Sequence, residues 1–187
     1  MAETIRCGWA EKPGPEQDYH DRVWGVPEHD DRALFKMLIL EGQQAGLSWS
    51  TILKKMDALS EAYDGFDPAV LARYGEDKLS ALMQNPGVIR NRLKVRAAVE
   101  NAKAYFALCE KHGSLDAFLW GYVGGASVVN HWESLAQVPA STPLSDRISR
   151  DLKALGFKFV GTTIVYAYLQ AVGVVNDHLV LCAFRRA

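Results

Sequence analysis

The segment Leu82-Met83-Gln84-Asn85-Pro86-Gly87-Val88-Ile89-Arg90-Asn91-Arg92 sets a tight turn between two helical patterns. Upstream, a helix is predicted from Glu76 to Gln84, stopped by Asn85-Pro86-Gly87. Downstream, Val95, Ala98, Val99, Ala102, Tyr105, Phe106 and Cys109 recur at helical spacing, and Gly113 ends the run. Working outward, Asp31 is a cap for a helix whose apolar face holds Leu34, Met37 and Leu38. Asp67-Pro68 opens another helix, to about Tyr74, with proline at its first position. Ser145 caps a helix that closes at Gly156, and a last long helix runs from about Thr162 to Val172. The stretch 144–172 repeats the helix–turn–helix plan around Gly156-Phe157-Lys158-Phe159-Val160-Gly161. Period-2 strand patterns are missing, and Val123 to Val129 reads as loop. The expectation is an all-α fold in one domain over residues 1–187, with room for two lobes.

Composition narrows the function classes. About half of the 187 residues are apolar (49%), enough for a core. The apolar runs fall far short of a membrane span, and Met1-Ala2-Glu3-Thr4-Ile5-Arg6-Cys7 lacks a signal core, so a cytosolic protein with no membrane partner is expected. Three widely spaced cysteines do not make a disulfide framework; they read as thiols or metal ligands. A net charge of −1 argues against strong nonspecific nucleic-acid binding. Any such contact must come from a local patch, and Arg90, Arg92, Lys94 and Arg96 supply one.

Cys7 and His20 stand near one end of the chain, and His178 and Cys182 near the other. On a helix, the four-residue spacing of His178 and Cys182 would face one ion. Two thiolates and two imidazoles make a closed tetrahedral zinc set, hence a structural site that clips the chain ends together. Ordinary buried thiols are the other reading of the same residues.

A second group of residues sits in Leu38-Ile39-Leu40-Glu41-Gly42-Gln43-Gln44-Ala45-Gly46-Leu47-Ser48-Trp49. Glu41 falls on the apolar face of its helix, where a carboxylate is costly without a partner. That makes it a site candidate, or else a cap on the amides of a neighbouring segment. Trp49, Tyr19, Trp9 and Trp24 are aromatics available to line a pocket or to fill the core. The Pro86-Gly87 turn, with Arg90, Arg92 and Lys94 behind it, could cradle a phosphate on backbone amides. It could equally be a plain turn with a solvated basic face.

With these elements assembled, the chain resembles the 3-methyladenine DNA glycosylase I family. The resemblance is carried by Arg6-Cys7-Gly8-Trp9, Tyr19-His20-Asp21, Trp24-Gly25-Val26-Pro27-Glu28, the Leu40 to Trp49 segment, Gly156 to Thr163, and Asn176-Asp177-His178. It implies a helix-hairpin-helix DNA glycosylase fold with a structural zinc at Cys7, His20, His178 and Cys182. It also implies a base pocket built from Glu41, Trp49, Tyr19 and Trp9, with Glu41 as the catalytic candidate. DNA contacts are expected at Gly46, Leu47, Gly87, Arg90, Arg92 and Lys94. The chain departs from the family at Glu16, which stands where the family often has an aromatic. Ile89 stands where the usual hairpin pattern has a second glycine, and Cys109 about where the wider superfamily keeps a catalytic aspartate, which the family resembles this sequence in lacking.

The implied reaction is monofunctional. Asn91 occupies the position of the nucleophilic lysine of bifunctional relatives, so no Schiff base is expected there. The partner is double-stranded alkylated DNA, from which a flipped 3-methyladenine is released by hydrolysis. The Gly46-Leu47 turn is the candidate for filling the gap, and a monomer is expected. Two rival readings use the same residues: a zinc-clipped module that binds nucleic acid without catalysis, and a zinc hydrolase.

Overall fold

The computed structural model describes residues 4–186. Its frame is helical: α1 (Pro15–Arg22), α2 (Asp31–Gln44), α3 (Trp49–Ala62), α4 (Pro68–Leu71), α5 (Glu76–Gln84), α6 (Arg92–His112), α7 (Leu115–Gly121), α8 (Pro143–Ala154) and α9 (Thr162–Ala171). The sheet content is one parallel pair, β1 (Val128–Val129) beside β2 (Val175–Asn176), with Val128 opposite Val175. The all-α expectation therefore holds. Val128–Val129, read as loop, gains its strand character only from pairing with β2 forty-odd residues later, which local patterning cannot reveal.

Helix α2 is the central element. It packs against α9, α6, α3 and α7, because Leu34, Phe35, Leu38, Ile39 and Leu40 leave almost no solvent-facing side. Its N-terminus is capped by Asp30, whose carboxylate accepts from the Ala33 amide at 2.8 Å. Asp31, expected as the cap, is instead the first helical residue. Its carboxylate accepts from the Tyr105 hydroxyl and from the Leu115 and Asp116 amides at 2.8–3.1 Å, tying α2 to α6 and α7.

Helix α8 starts earlier than expected for a related reason. Thr142 is its cap and Pro143 its first residue, while Ser145 closes the reciprocal capping box from inside. The Asp67-Pro68 helix is a single turn, Pro68–Leu71, followed by turn structure to Tyr74. Helices α1, α3 and α7 had no assignment from sequence; α1 and α7 are short, whereas α3, 14 residues long behind its Ser48 cap, was passed over.

The chain ends meet. The Ala183 amide donates to the Ile5 carbonyl at 2.9 Å, and the Val180 amide to Trp132. The segment Asn176 to Arg186 thus lies against residues 5–24. Among the described residues, no helix is long and apolar enough to cross a membrane.

Candidate base pocket and metal centre

Cys7, His20, His178 and Cys182 are all buried, and one ligand atom from each lies within 4.8 Å of every other. His178 and Cys182 are not on a helix as expected; they flank a turn after β2, closed by the Cys182 amide on the Leu179 carbonyl. The fit to zinc is testable from geometry. Bonds of about 2.3 Å to sulfur and 2.0–2.1 Å to nitrogen give tetrahedral edges of roughly 3.3–3.8 Å. Here Cys7 Sγ lies 3.8 Å from His178 Nδ1, Cys182 Sγ 3.6 Å from His20 Nε2, and Cys182 Sγ 3.4 Å from His178 Nδ1.

The outward ring nitrogens are committed too. His20 Nδ1 is 2.8 Å from Asp21 Oδ1, and His178 Nε2 is 3.0 Å from the Trp24 carbonyl. Arg6 grips the same Asp21 carboxylate at 2.8–3.1 Å. Each imidazole is thereby held with its other nitrogen facing the cluster centre, the arrangement that orients metal ligands.

Next to this cluster lies a cavity of about 390 Å³, lined by Trp9, Tyr19, Trp24, Glu41, Gln44, Trp49, Leu135, Val138, Ala167, Gln170 and Asp177. Four elements deliver its chemistry. Helix α1 carries Tyr19 on the turn that also bears His20; α2 carries Glu41; the N-terminus of α3 carries Trp49, after the Ser48 cap; α9 carries Gln170. Tyr19 and Trp49 lie with ring centroids 5.2 Å apart, and Trp9 meets Trp24 edge-on at 5.1 Å.

Glu41 is 3% exposed, and its Oε2 has no hydrogen-bond partner. Burial pushes its carboxyl up to about 8. Burial also raises the Tyr19 phenol well above its usual value, with the Glu41 charge adding to the rise. An orphaned buried carboxyl in an aromatic-walled cavity does not cap a neighbouring segment, so of the two readings of Glu41 the geometry favours the site.

The cavity brings together Glu41, Trp49, Tyr19 and Trp9. Trp24, Gln44, Gln170 and Asp177 also line it; sequence reading gave Trp24 only as an available aromatic and missed the other three. Asn176-Asp177-His178 was visible as a motif, but not that Asp177 lines the cavity while His178 joins the Cys₂His₂ cluster. Glu16 and Cys109 are not among the lining residues; Cys109 sits instead 4.0 Å from Asp31 Oδ2.

The expected DNA contacts divide. Gly46 and Leu47 are exposed at the α2–α3 turn beside Trp49, with Gly46 at φ +75°. Arg90 and Arg92 are exposed. Lys94 departs from the expectation: it is 6% exposed and its ammonium donates to the carbonyls of Gln43 and Ala45, at 2.8 and 2.5 Å. Its charge stabilises the C-terminal end of α2. Gly87 is small for packing: a Cβ there would lie 2.9 Å from Ala58 Cβ. Its amide is taken by Asn85 Oδ1 at 2.8 Å, and Asn91 caps the first turn of α6.

The helical frame thus sets a Cys₂His₂ cluster beside an aromatic cavity that holds a buried carboxyl without a partner; four protein ligands would leave an ion in that cluster no open position for a reacting water. The methyladenine glycosylase profile matches residues 9–186. The chain is 45% identical over 177 residues to DNA-3-methyladenine glycosylase 1 of Escherichia coli (strain K12), covering 95% of each. It is 44% identical over 179 residues to DNA-3-methyladenine glycosylase of Haemophilus influenzae, covering 96% of this chain and 97% of that one. Among solved structures, 3-methyladenine DNA glycosylase I from Staphylococcus aureus, solved for the structural basis of 3-methyladenine recognition, superposes with a TM-score of 0.94 at 37% identity, covering 97% of each chain. The chain belongs to the methyladenine glycosylase family.

Proposed function

We propose that this protein is a monofunctional glycosylase that removes 3-methyladenine from alkylated double-stranded DNA and leaves an abasic site. One observation carries the reading: the orphaned carboxyl of Glu41, buried in a cavity walled by Tyr19 and Trp49. Methylation at N3 makes the base cationic and its glycosidic bond weak. A pocket that recognises the cation therefore selects the substrate and the departing group together.

Tyr19, Trp49 and Trp9 supply ring faces, worth about 0.5–2 kcal/mol each toward a cation. Glu41 accepts from the base edge; a charge-assisted hydrogen bond of this kind is worth about 1.5–3 kcal/mol. The cavity, about 390 Å³, admits a single base. Water is the nucleophile. The described residues offer no lysine at position 91, where Asn91 caps α6.

For the duplex, the α8–α9 hairpin is the better phosphate cradle than the α5–α6 turn. The amides of α6 are spent on Asn91, whereas α9 begins at Gly161 with no side-chain cap. Asn101 grips both backbone groups of Lys158, leaving its exposed ammonium outside, and Phe159 packs on Gly42 of α2, one residue from Glu41. Leu47, exposed on the α2–α3 turn two residues before Trp49, fills the gap left by the flipped base.

Cys7, His20, His178 and Cys182 would hold zinc. The ion would supply cross-linking of the chain ends and no reaction chemistry. Chromatography of the bases released from methylated duplex DNA tests the proposal. A 3-methyladenine peak with abasic sites left uncut is expected. No released base from the folded, zinc-loaded protein would overturn it.

A further inference from the structure

Gln170 is a polar residue of the cavity wall that the mechanism above leaves without work, and its orientation is fixed by a neighbour. Its Nε2 donates to Asp177 Oδ2 at 2.6 Å. The same oxygen accepts from the Tyr166 hydroxyl, and Oδ1 accepts from Asn130 Nδ2 and Trp132 Nε1 at 2.7 and 2.8 Å. Two donors reach each oxygen, so the carboxylate is held as a pure acceptor. Rotating the Gln170 amide by half a turn would set its carbonyl oxygen against Oδ2, acceptor on acceptor. The carbonyl oxygen is therefore the free end, and among the described residues it takes no protein hydrogen bond.

On the reading that the cavity takes 3-methyladenine, we infer that Gln170, locked by Asp177, is a specificity-determining residue that accepts a hydrogen from the exocyclic amine at C6. An amine has two hydrogens to give, and Glu41 and Gln170 are acceptors of the cavity wall that can take one each. Guanine carries a carbonyl oxygen at C6. That oxygen would meet the Gln170 carbonyl with no hydrogen between them, and once the base fills the cavity this half-buried acceptor would stay unpaired. Charge alone cannot make this distinction, because 3-methylguanine in DNA is cationic as well.

The test measures release of 3-methyladenine and 3-methylguanine from one methylated duplex, by the zinc-loaded wild-type chain and by Gln170→Leu. The variant keeps bulk and removes the acceptor; three donors still hold Asp177. Loss of one hydrogen bond from the cationic base to a neutral acceptor predicts a fall of about tenfold or more in kcat/KM for 3-methyladenine. The value for 3-methylguanine should stay level or rise, so the ratio of the two narrows about tenfold. A melting temperature near that of the wild type shows that the effect is local. Gln170→Met, which keeps the unbranched length, replaces the leucine variant if that one does not fold. Equal falls for both bases, or an unchanged ratio, overturn the inference and leave the glycosylase reading standing. A wild-type protein that releases neither base overturns both.

Discussion

At the scale of single residues, Glu41 dominates. Its carboxyl is raised by burial from 4.5 to about 8. The folded state therefore keeps a proton that the unfolded chain gives up, and stability falls as pH rises from about 4.5 to 8. Glu41→Gln removes this dependence. The variant should be the more stable by roughly 3 kcal/mol at pH 7, with the advantage gone at pH 4. Denaturant titrations at the two pH values check this, and a constant offset would show that the carboxyl is not desolvated. Glu41 was legible in sequence because it interrupts a helical apolar stripe. Asp177 and Gln170 were not, since their meeting depends on β2 returning beside α9. Lys94 misled for the opposite reason: a lysine among arginines looks solvated until the end of α2 arrives on top of it.

At the scale of elements, two helix ends set up the site. The ammonium of Lys94 holds the last carbonyls of α2 and so fixes the turn that delivers Leu47 and Trp49. Lys94→Met should cost about 1–3 kcal/mol by leaving those carbonyls unpaired. Thermal melting reads the loss, and wild-type melting would deny the clamp. The α8–α9 hairpin is the phosphate cradle in this account. Lys158→Ala should reduce the slope of log affinity against log salt by about 0.9. An unchanged slope there, with a reduced one for Arg92→Ala, would return the contact to the α5–α6 turn. Both hairpins were visible in sequence as helix–turn–helix units. Their ranking was not, because it depends on which helix N-terminus is already capped, and Asn91 alone gave no sign that its side chain does this.

At the scale of the whole molecule, the Cys₂His₂ cluster joins residues 7 and 20 to residues 178 and 182, next to the cavity wall. The residue types were readable as a ligand set from their chemistry, but their convergence across more than 150 residues needed the fold. On the proposal that these four residues hold a structural zinc, a chelator should lower the melting temperature by on the order of 10 °C or more, with activity lost in parallel. Activity lost while melting is unchanged would mark a catalytic ion instead. The central claim joins all three scales: a buried carboxyl, presented by helices and clipped chain ends, reads the charge of the base. Its most direct test is the single-turnover rate of 3-methyladenine release from duplex DNA, for wild type and Glu41→Gln, between pH 6 and 9. The account predicts a wild-type rate that climbs as Glu41 ionises and levels above about pH 8. It predicts a Glu41→Gln rate that is flat and lower by about 10- to 150-fold at the plateau. Matching rates and matching profiles for the two proteins would contradict it.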